Sequence, residues 1–260
     1  MDETYQIYVN RVAQLTIPAT YETQLKNIQK SPKFDQGKAV PFPGYTILTP
    51  PQPEDALNGE FYQQLQTTQQ ELLKQIESAI IDWLPLESFH LTLADLIWDK
   101  SYREAIQEDP NFAHRIKKCI EDSFNNYQKI NLEKSKNRWQ LLGLIILPRA
   151  LAIALVPSDE LSYEKIIQLR RSIYQNMDLI GLGVQQQYHF TAHITLGYFN
   201  ENVENISEVE RTRLASILTS FNDRWLEAEP QFFKISQVEL RKFEDMINYL
   251  PSDDNPKIEL

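Results

Sequence analysis

A histidine and a threonine separated by one residue, and followed directly by a leucine, occur in segment 188–198 of the chain. The segment reads Tyr-His-Phe-Thr-Ala-His-Ile-Thr-Leu-Gly-Tyr. Its apolar residues alternate with the polar or small residues at positions 189, 191, 193, 195 and 197. Because successive side chains of a strand point to opposite sides, this alternation predicts a strand with one polar and one apolar face. The polar face presents His193 and Thr195 as candidates for chemistry.

The same motif occurs earlier in the chain, at His90, Thr92 and Leu93. The two motif histidines are 103 residues apart (193 − 90 = 103). Each motif follows a stretch whose apolar residues recur at helical spacing. One His-x-Thr-Leu motif is a common accident, whereas two copies in matching positions indicate an internally duplicated chain.

The paired motifs resemble those of the 2H phosphoesterases, which have two His-x-Ser/Thr-hydrophobic motifs at about this separation, one in each half of a duplicated fold. All four motif residues of this chain match without substitution. Segment 37–46, which reads Gly-Lys-Ala-Val-Pro-Phe-Pro-Gly-Tyr-Thr, is similar to a poorly characterised branch of that superfamily, as is the Leu-Thr-Leu-Ala-Asp-Leu segment after the first histidine. The resemblance extends over roughly residues 35–245.

The resemblance implies an α+β fold with two lobes, in which pseudo-duplicated antiparallel sheets carry helices on their outer faces and enclose a central cleft. The expected division is an N-terminal accessory extension (1–34), a first lobe (35–138), a second lobe (139–250) and a C-terminal tail (251–260). Each lobe contains one histidine motif.

The apolar pattern predicts similar elements in both halves. Helices are expected over residues 20–29, 61–83, 112–127, 158–177 and 214–225. Strands are expected over residues 45–48, 86–97, 139–147, 151–156, 188–198 and 232–243. A strand, a helix and a histidine strand thus occur once in each half.

Two histidines that face each other across a phosphate can cleave a phosphodiester without a metal. Histidine has an unperturbed pKa of about 6.5, so one imidazole can act as the base and the other as the acid. The threonines share the faces of the histidines and can donate hydrogen bonds to the nonbridging oxygens. We expect His90, His193, Thr92 and Thr195 to be the catalytic residues, with no metal and no cofactor. Either histidine can be the acid.

Four further residues are candidates for substrate binding: Tyr45, Thr46, Trp98 and Tyr198. The aromatic residues can stack on a nucleobase, although filling the core is the more ordinary role of each one taken alone. Tyr198 lies five positions after the second histidine, where many 2H phosphoesterases have arginine or another polar residue. This departure leaves open which residue contacts the phosphate.

The function that the resemblance implies is metal-independent cleavage of a 2′,3′-cyclic phosphate or of a small cyclic or 2′-5′-linked nucleotide. Two alternatives are a sensor that binds a nucleotide or RNA end without turnover and an RNA 2′-5′ ligase. A zinc site is a further alternative, because His189 and His193 have the spacing of helical zinc motifs. Phe190 in place of the glutamate of such motifs, and the strand-forming residues around it, argue against zinc.

The formal net charge of −10 argues against a protein that binds duplex DNA or long RNA mainly through phosphates. The basic residues Lys129, Lys134, Lys136 and Arg138 lie close together in the sequence and can offset only a few phosphates. We therefore expect a small nucleotide or cyclic phosphate as the substrate, with a short RNA end as a second candidate.

The composition is that of a protein with a full hydrophobic core, since 42% of the 260 residues are hydrophobic. No apolar run approaches the roughly 20 residues that span a bilayer, and the first residues lack the basic and apolar regions of a signal peptide. A monomeric cytoplasmic protein with no membrane partner is the expectation.

Overall fold

The apolar pattern of the sequence corresponds to helices and antiparallel strands in the computed structural model, which describes residues 3–76, 79–130, 132 and 136–260. Among these residues the helices are α1 (Tyr5–Gln14), α2 (Pro18–Gln24), α3 (Gly59–Gln75), α4 (Asp99–Glu108), α5 (Phe112–Gln128), α6 (Glu160–Tyr174), α7 (Met177–Gly181) and α8 (Glu208–Glu227). The strands are β1 (Phe34–Asp35), β2 (Lys38–Ala39), β3 (Gly44–Leu48), β4 (Ile81–Trp83), β5 (Thr92–Trp98), β6 (Arg138–Leu147), β7 (Ala150–Pro157), β8 (His193–Phe199), β9 (Phe232–Lys234), β10 (Gln237–Phe243), β11 (Tyr249–Leu250) and β12 (Lys257–Glu259).

Two antiparallel sheets form the framework of the molecule. The first sheet has the strand order β11-β10-β3-β5, with β12 also paired to β10, and the second has the order β4-β8-β7-β6-β9. The short strands β1 and β2 form a separate hairpin. The α+β class predicted from the sequence, with antiparallel sheets and outer helices, is confirmed.

The duplication predicted from the two motifs corresponds to a repeated arrangement of strands. In the first sheet β3 pairs antiparallel with β5, and α3 lies between them in the chain. In the second sheet β7 pairs antiparallel with β8, and α6 lies between them. The motif histidine comes at or just before the start of the second strand of each pair, so the two halves place their histidines in equivalent positions.

The sheets do not follow the predicted lobe boundary at residue 138. β4 belongs by sequence to the first half, but it pairs with β8 in the second sheet. In return β10, β11 and β12 complete the first sheet, and β12 lies in the segment 251–260 that was expected to be a tail. The alternation of a strand defines its faces but not its neighbours, which is why the sequence did not indicate this exchange.

The predicted helix over residues 61–83 is shorter in the structure. α3 ends at Gln75, and the segment Ile81–Trp83 is instead β4. Ile76, Ile80 and Trp83 fit a helical spacing, but a short apolar run fits a buried strand equally well. Residues 77 and 78 lie outside the described residues.

The N-terminal segment packs on the second lobe as part of its core. Tyr8 and Tyr21 are fully buried, and their hydroxyls donate to the carbonyl oxygens of Leu155 (3.1 Å) and Leu144 (2.6 Å) in the second sheet. The segment forms α1 and α2 rather than the one helix predicted over 20–29. α2 begins earlier than predicted because Pro18 occupies its first turn, where proline is favoured.

The core is continuous between the sheets and the helices. Its largest fully buried side chains include those of Trp139, Tyr62, Phe89, Phe199, Phe221 and Phe233. In the described part of the chain, no helix combines the length and the apolar character that crossing a membrane requires.

The close packing of β3 generates a prediction about Gly44. A Cβ atom at this position would lie 2.3 Å from the carbonyl oxygen of Ile97 and 2.6 Å from Cζ of Phe243, and the oxygen belongs to a fixed strand. We expect Gly44→Ala to lower the free energy of unfolding by about 1–3 kcal/mol. Denaturant unfolding of the two proteins measures this difference.

Gly59→Ala is the matched control, because a Cβ at this first residue of α3 meets nothing within 4 Å. Alanine at an unstrained position restricts the unfolded chain, so this variant should be neutral or slightly more stable than the parent. Equal stability of the Gly44 and Gly59 variants would contradict the packing argument.

Candidate active site

The two motif histidines make the same hydrogen bond with their own backbone. Nδ1 of His90 donates to the carbonyl oxygen of Ser88, and Nδ1 of His193 donates to that of Thr191, both at 2.7 Å. A carbonyl oxygen accepts and cannot donate, so Nδ1 carries the proton in each neutral ring. Nε2 of each ring therefore holds the lone pair that is available for proton transfer.

A β-bulge after the first motif changes which residues share its face. The register between β5 and β3 skips Leu93, so Asp95 falls on the same side of β5 as Thr92. Thr92 and Asp95 are partly exposed, whereas Leu93 and Ala94 are buried. Strict alternation puts Asp95 on the opposite face, which is why the sequence pattern did not identify it as a site residue.

The second motif has a bulge at the equivalent place. The register between β8 and β7 skips Leu196, which brings Tyr198 to the side of His193 and Thr195. Each half thus presents a histidine, a threonine and one more polar residue three positions beyond the threonine. That third residue is Asp95 in the first half and Tyr198 in the second.

The surroundings of His90 favour its neutral form. Burial lowers the pKa of His90 to about 4, the bond to Ser88 opposes this shift, and the positive charges of His193, Arg241 and Lys33 lower the pKa further. The aromatic ring of Tyr249 also packs edge-on against the imidazole, with 4.3 Å between ring centroids. His193 thus acts on the pKa of His90 although the strands of the two motifs belong to different sheets.

The surroundings of His193 differ from those of His90 in that they include a negative charge, the carboxylate of Asp95. Burial lowers the pKa of His193, while the bond to Thr191 and the carboxylate of Asp95 raise it, and Lys33 lowers it. Burial in turn raises the pKa of Asp95, against the opposing charges of Lys33, His193 and Arg170. The hydroxyl of Tyr188 donates to Oδ2 of Asp95. The two histidines therefore face unequal electrostatic environments.

The side chain of Arg241 fixes the aromatic residue beside His90. Arg241 is buried, and its Nη1 donates to the carbonyl oxygen of Tyr249 at 3.3 Å. Its charge is compensated by Glu239, 2.8 Å from Nε, and by Glu54, 2.5 Å from Nη2. Burial raises the pKa of Tyr249 well above its ordinary value, so its hydroxyl stays neutral.

Lys33 is a site residue that sequence analysis missed, because residues 1–34 were predicted to be an accessory extension. Its Nζ lies 3.5 Å from the hydroxyl of Tyr198 and over the rings of Tyr198 and Phe42, 5.0 and 5.2 Å from their centroids. Its charge acts on both motif histidines. Lys33 thus places a cation beside Tyr198, the position where many 2H phosphoesterases carry a polar or cationic residue. The adjacent segment 37–46 was the only sequence signal near it.

We refer to the motif residues and these neighbours together as the histidine site, which comprises Lys33, His90, Thr92, Asp95, His193, Thr195, Tyr198 and Tyr249.

Two of the residues predicted to bind substrate are engaged elsewhere. Tyr45 is 3% exposed and packs against Tyr102 and Phe112, and burial raises its pKa to about 12. Thr46 is also buried, and its hydroxyl donates to the carbonyl oxygen of Ala94 at 3.1 Å. Neither side chain is free to contact a substrate as predicted, because β3 is a central strand that is covered on both faces.

The other two predicted substrate contacts lie on the motif strands. Trp98 is partly exposed at the end of β5. Tyr198 is 8% exposed, stacks on Phe34 with 5.4 Å between ring centroids, and has Lys33 over the ring. Since Phe34 and Lys33 already cover the ring of Tyr198, the predicted stacking of a base on it conflicts with this packing.

His189 does not lie in a metal-binding arrangement with His193. Residues 188–192 belong to no helix, and Nδ1 of His189 lies 3.5 Å from a carboxylate oxygen of Glu3. Among the described residues, no group of three or more histidine, cysteine, aspartate or glutamate side chains is placed to hold a metal ion.

The described basic residues of segment 129–138 each make a different contact. Lys129 donates to a neighbouring asparagine, and the guanidinium of Arg138 lies over the ring of Phe232. Lys136 lines a cavity of about 1070 Å³ that includes no residue of the histidine site. Lys134 lies outside the described residues.

Two antiparallel sheets, each preceded or begun by a His-x-Thr motif, are the arrangement that the resemblance to the 2H phosphoesterases implies. A family model labelled 2H-phosphodiest and described as "Domain of unknown function (DUF1868)" matches residues 33–125, which contain Lys33 and the first motif. Over this segment the match agrees with the resemblance to the 2H phosphoesterases that the paired motifs predicted. No curated protein matches the chain.

Several solved structures are similar in fold. The conserved protein of unknown function ATU0111 from Agrobacterium tumefaciens has 13% sequence identity and a TM-score of 0.51, over 85% of this chain and 90% of that chain. Escherichia coli LigT complexed with 3′-AMP has 12% identity and a TM-score of 0.45, over 84% and 95%. TT0787 of Thermus thermophilus has 14% identity and a TM-score of 0.43, over 83% and 94%. At these identities the likeness concerns the fold alone.

The unequal environments generate a prediction about histidine titration. The ring signals of His90 in NMR spectra should titrate with a pKa of about 4, and those of His193 should also titrate below the ordinary value of about 6.5. Asp95→Asn removes the charge that raises the pKa of His193, so this pKa should fall further.

His90 is the internal control in this titration, because Asp95 is not among the main influences on its pKa. A His193 titration that is unchanged in Asp95→Asn, or a His90 signal that titrates near 6.5, would contradict the electrostatic description.

Proposed function

We propose that the protein is a metal-independent phosphodiesterase that cleaves a 2′,3′-cyclic phosphate or a small cyclic or 2′-5′-linked nucleotide. The observation that supports this function is the matched pair of Nδ1 bonds at His90 and His193. Each bond directs one Nε2 away from the protein's own backbone. The site then offers two proton-transfer groups, which is what phosphodiester cleavage requires and what binding alone does not.

The proposed reaction needs one proton removed and one proton supplied. Nε2 of one histidine takes a proton from water as the water oxygen bonds to phosphorus. The bond between phosphorus and the leaving ribose oxygen breaks, and Nε2–H of the other histidine protonates that oxygen. After each turnover the two histidines have exchanged protonation states. Proton exchange with solvent restores the original states, so atoms and charge balance.

The charges around the histidines favour His90 as the base and His193 as the acid. His90 faces the cations Lys33 and Arg241, which disfavour its protonated form. His193 faces Asp95, which favours its protonated form. With these roles, kcat/KM rises with pH as His90 loses its proton and falls with pH as His193 loses its proton. The acid limb therefore reports His90, and the alkaline limb reports His193.

Thr92, Thr195 and Lys33 are proposed to hold the phosphate. Thr195 lies two positions after His193 in β8, and Thr92 begins β5 two positions after His90, so we expect both hydroxyls to donate to the nonbridging oxygens. Lys33 offsets the negative charge that those oxygens carry and gain in the transition state. A partly desolvated lysine interacts with such a charge more strongly than one in bulk water does.

The charge distribution favours a small substrate. Among the described residues, the cations that act on the site include Lys33, Arg241 and Arg170; Arg241 is already paired with Glu54 and Glu239, and Arg170 donates to the carbonyl oxygen of Leu93. The chain as a whole has a net charge of −10, which repels a long polyanion. A substrate with one or two phosphates fits this small number of cations better than a long RNA does.

The central test is removal of either motif histidine. His90→Ala and His193→Ala should each lower kcat by about a hundred- to ten-thousandfold on a cyclic nucleotide or a short oligonucleotide 2′,3′-cyclic phosphate. A chelator should leave the rate of the parent unchanged, because the proposed chemistry uses no metal. Product formation by chromatography measures both effects.

His114→Ala is the matched control, because His114 is an exposed residue of α5 and should be dispensable. Binding without turnover in the parent would favour the sensor, and joining of RNA ends would favour the ligase. Activity that a chelator abolishes and zinc restores would overturn the metal-independent mechanism.

A second test concerns Lys33. Lys33→Ala should lower kcat/KM by about ten- to hundredfold, which is the effect of losing one hydrogen bond to a charged group. Lys33→Arg keeps the positive charge and should retain a larger part of the activity. Kinetic constants for both variants on the same substrate give the comparison.

Lys38→Ala controls for the loss of a nearby lysine, since Lys38 is exposed in the same hairpin region. If Lys33→Ala had the kinetic constants of Lys38→Ala, the proposed phosphate contact would be excluded.

A further inference from the structure

Helix α1 contacts the residues that lead into His193. Nη1 of Arg11 donates to Oγ1 of Thr191 at 2.9 Å, and its Nη2 donates to the carbonyl oxygen of Phe190 at 2.5 Å. The backbone N–H of Ala192 donates to the hydroxyl of Tyr8 at 3.0 Å. Three consecutive residues before His193 are thus each held by a side chain of α1.

The segment that α1 holds lies before the sheet begins. β8 starts at His193, and the preceding residue Ala192 is joined to the sheet through its carbonyl, which accepts from the N–H of Leu155 at 2.9 Å. The carbonyl that orients the His193 ring belongs to Thr191. A displacement of Thr191 therefore turns the imidazole, and Arg11 is the side chain that bonds to Thr191 and its neighbour.

Arg11 is itself fixed in place by a carboxylate. Its Nε lies 2.8 Å from Oε1 of Glu3, and its Nη2 lies 2.9 Å from Oε2, which is a two-point contact. The Glu3 side chain is 10% exposed and that of Arg11 is 29% exposed. The guanidinium thus joins Glu3, Phe190 and Thr191 at once, which the single ammonium of a lysine cannot reproduce.

We propose that Arg11 is a positioning residue for His193, and that residues 3–11 form a structural part of the active site rather than an accessory extension. This inference rests on the proposed function of His193. Residues 3–11 precede the segment that the family model matches, so that match does not include the contacts of Arg11.

The test compares Arg11→Ala and Arg11→Lys in the full chain. Both variants should lower kcat by about ten- to hundredfold with less than about a threefold change in KM, because a misplaced acid slows the chemical step more than it weakens binding. The alkaline limb of the pH profile, which reports His193, should move, while the acid limb, which reports His90, should stay. Added methylguanidinium at a nondenaturing concentration should partly restore Arg11→Ala but not Arg11→Lys.

Arg103→Ala is the matched control, since Arg103 pairs with Asp99 on the exposed surface of α4 and should keep the parent's kinetics. Tyr8→Phe is a second variant that keeps the buried ring and removes only the hydroxyl that Ala192 contacts. It should shift kcat and the alkaline limb in the same direction as Arg11→Ala, so the proposal stays testable even if the arginine variants fail to fold.

The NMR titration of His193 separates this inference from the proposed function. If the parent protein shows no turnover, the proposed function fails, yet Arg11→Ala and Tyr8→Phe should still perturb the His193 signals and spare those of His90. Unchanged His193 signals in both variants, or unchanged kcat and alkaline limb in an active protein, would overturn the positioning role.

Discussion

The hydrogen bond from Nδ1 of each motif histidine to a carbonyl two residues earlier is the constraint on which the proposed chemistry depends. A neutral imidazole has two tautomers, and this bond selects the one with the lone pair on Nε2. The bond joins residues two apart in the chain, so each motif region supplies both partners, and in the second half α1 also holds the segment that contains the carbonyl. What differs between the halves is the surrounding charge, with Asp95 beside His193 and Arg241 near His90. A duplicated motif thereby supplies two groups with unequal proton affinity.

The sequence predicted the parts of the site that local pattern determines. The spacing of His90 and Thr92 predicted a shared face, and the resemblance carried by the paired motifs implied the α+β class, which the structure confirms. Asp95 was missed because a bulge at Leu93 shifts the alternation, and a bulge is a property of the pairing between two strands. Lys33 was missed for a different reason. It is far in sequence from both motifs and reaches the site only through tertiary contacts.

The position of Lys33 also explains how the chain accommodates tyrosine after its second motif. Tyr198 brings no charge of its own, but its ring is covered by Phe34 on β1 and its hydroxyl lies near Nζ of Lys33. The hairpin that begins at β1 therefore orders the lysine against the ring, where the attraction between a cation and an aromatic face adds to the packing. The cation enters the site from outside the motif strand, so its role depends on tertiary structure that no motif comparison records.

The separation of the two histidines is set by hydrogen bonds between the halves of the chain. β4 pairs with β8, and beyond it the N–H of Leu84 donates to the carbonyl of Leu196 at 2.9 Å. Nε2 of Gln69 donates to the carbonyls of both residues, at 2.8 and 3.0 Å. Only a short segment then carries the chain through His90 into the first sheet. Because that segment is anchored in both sheets, moving the histidines apart requires breaking strand pairing. The exchange of strands between the halves thus fixes the segment that carries His90 relative to β8, which carries His193, and the proposed acid and base catalysis requires such fixed geometry.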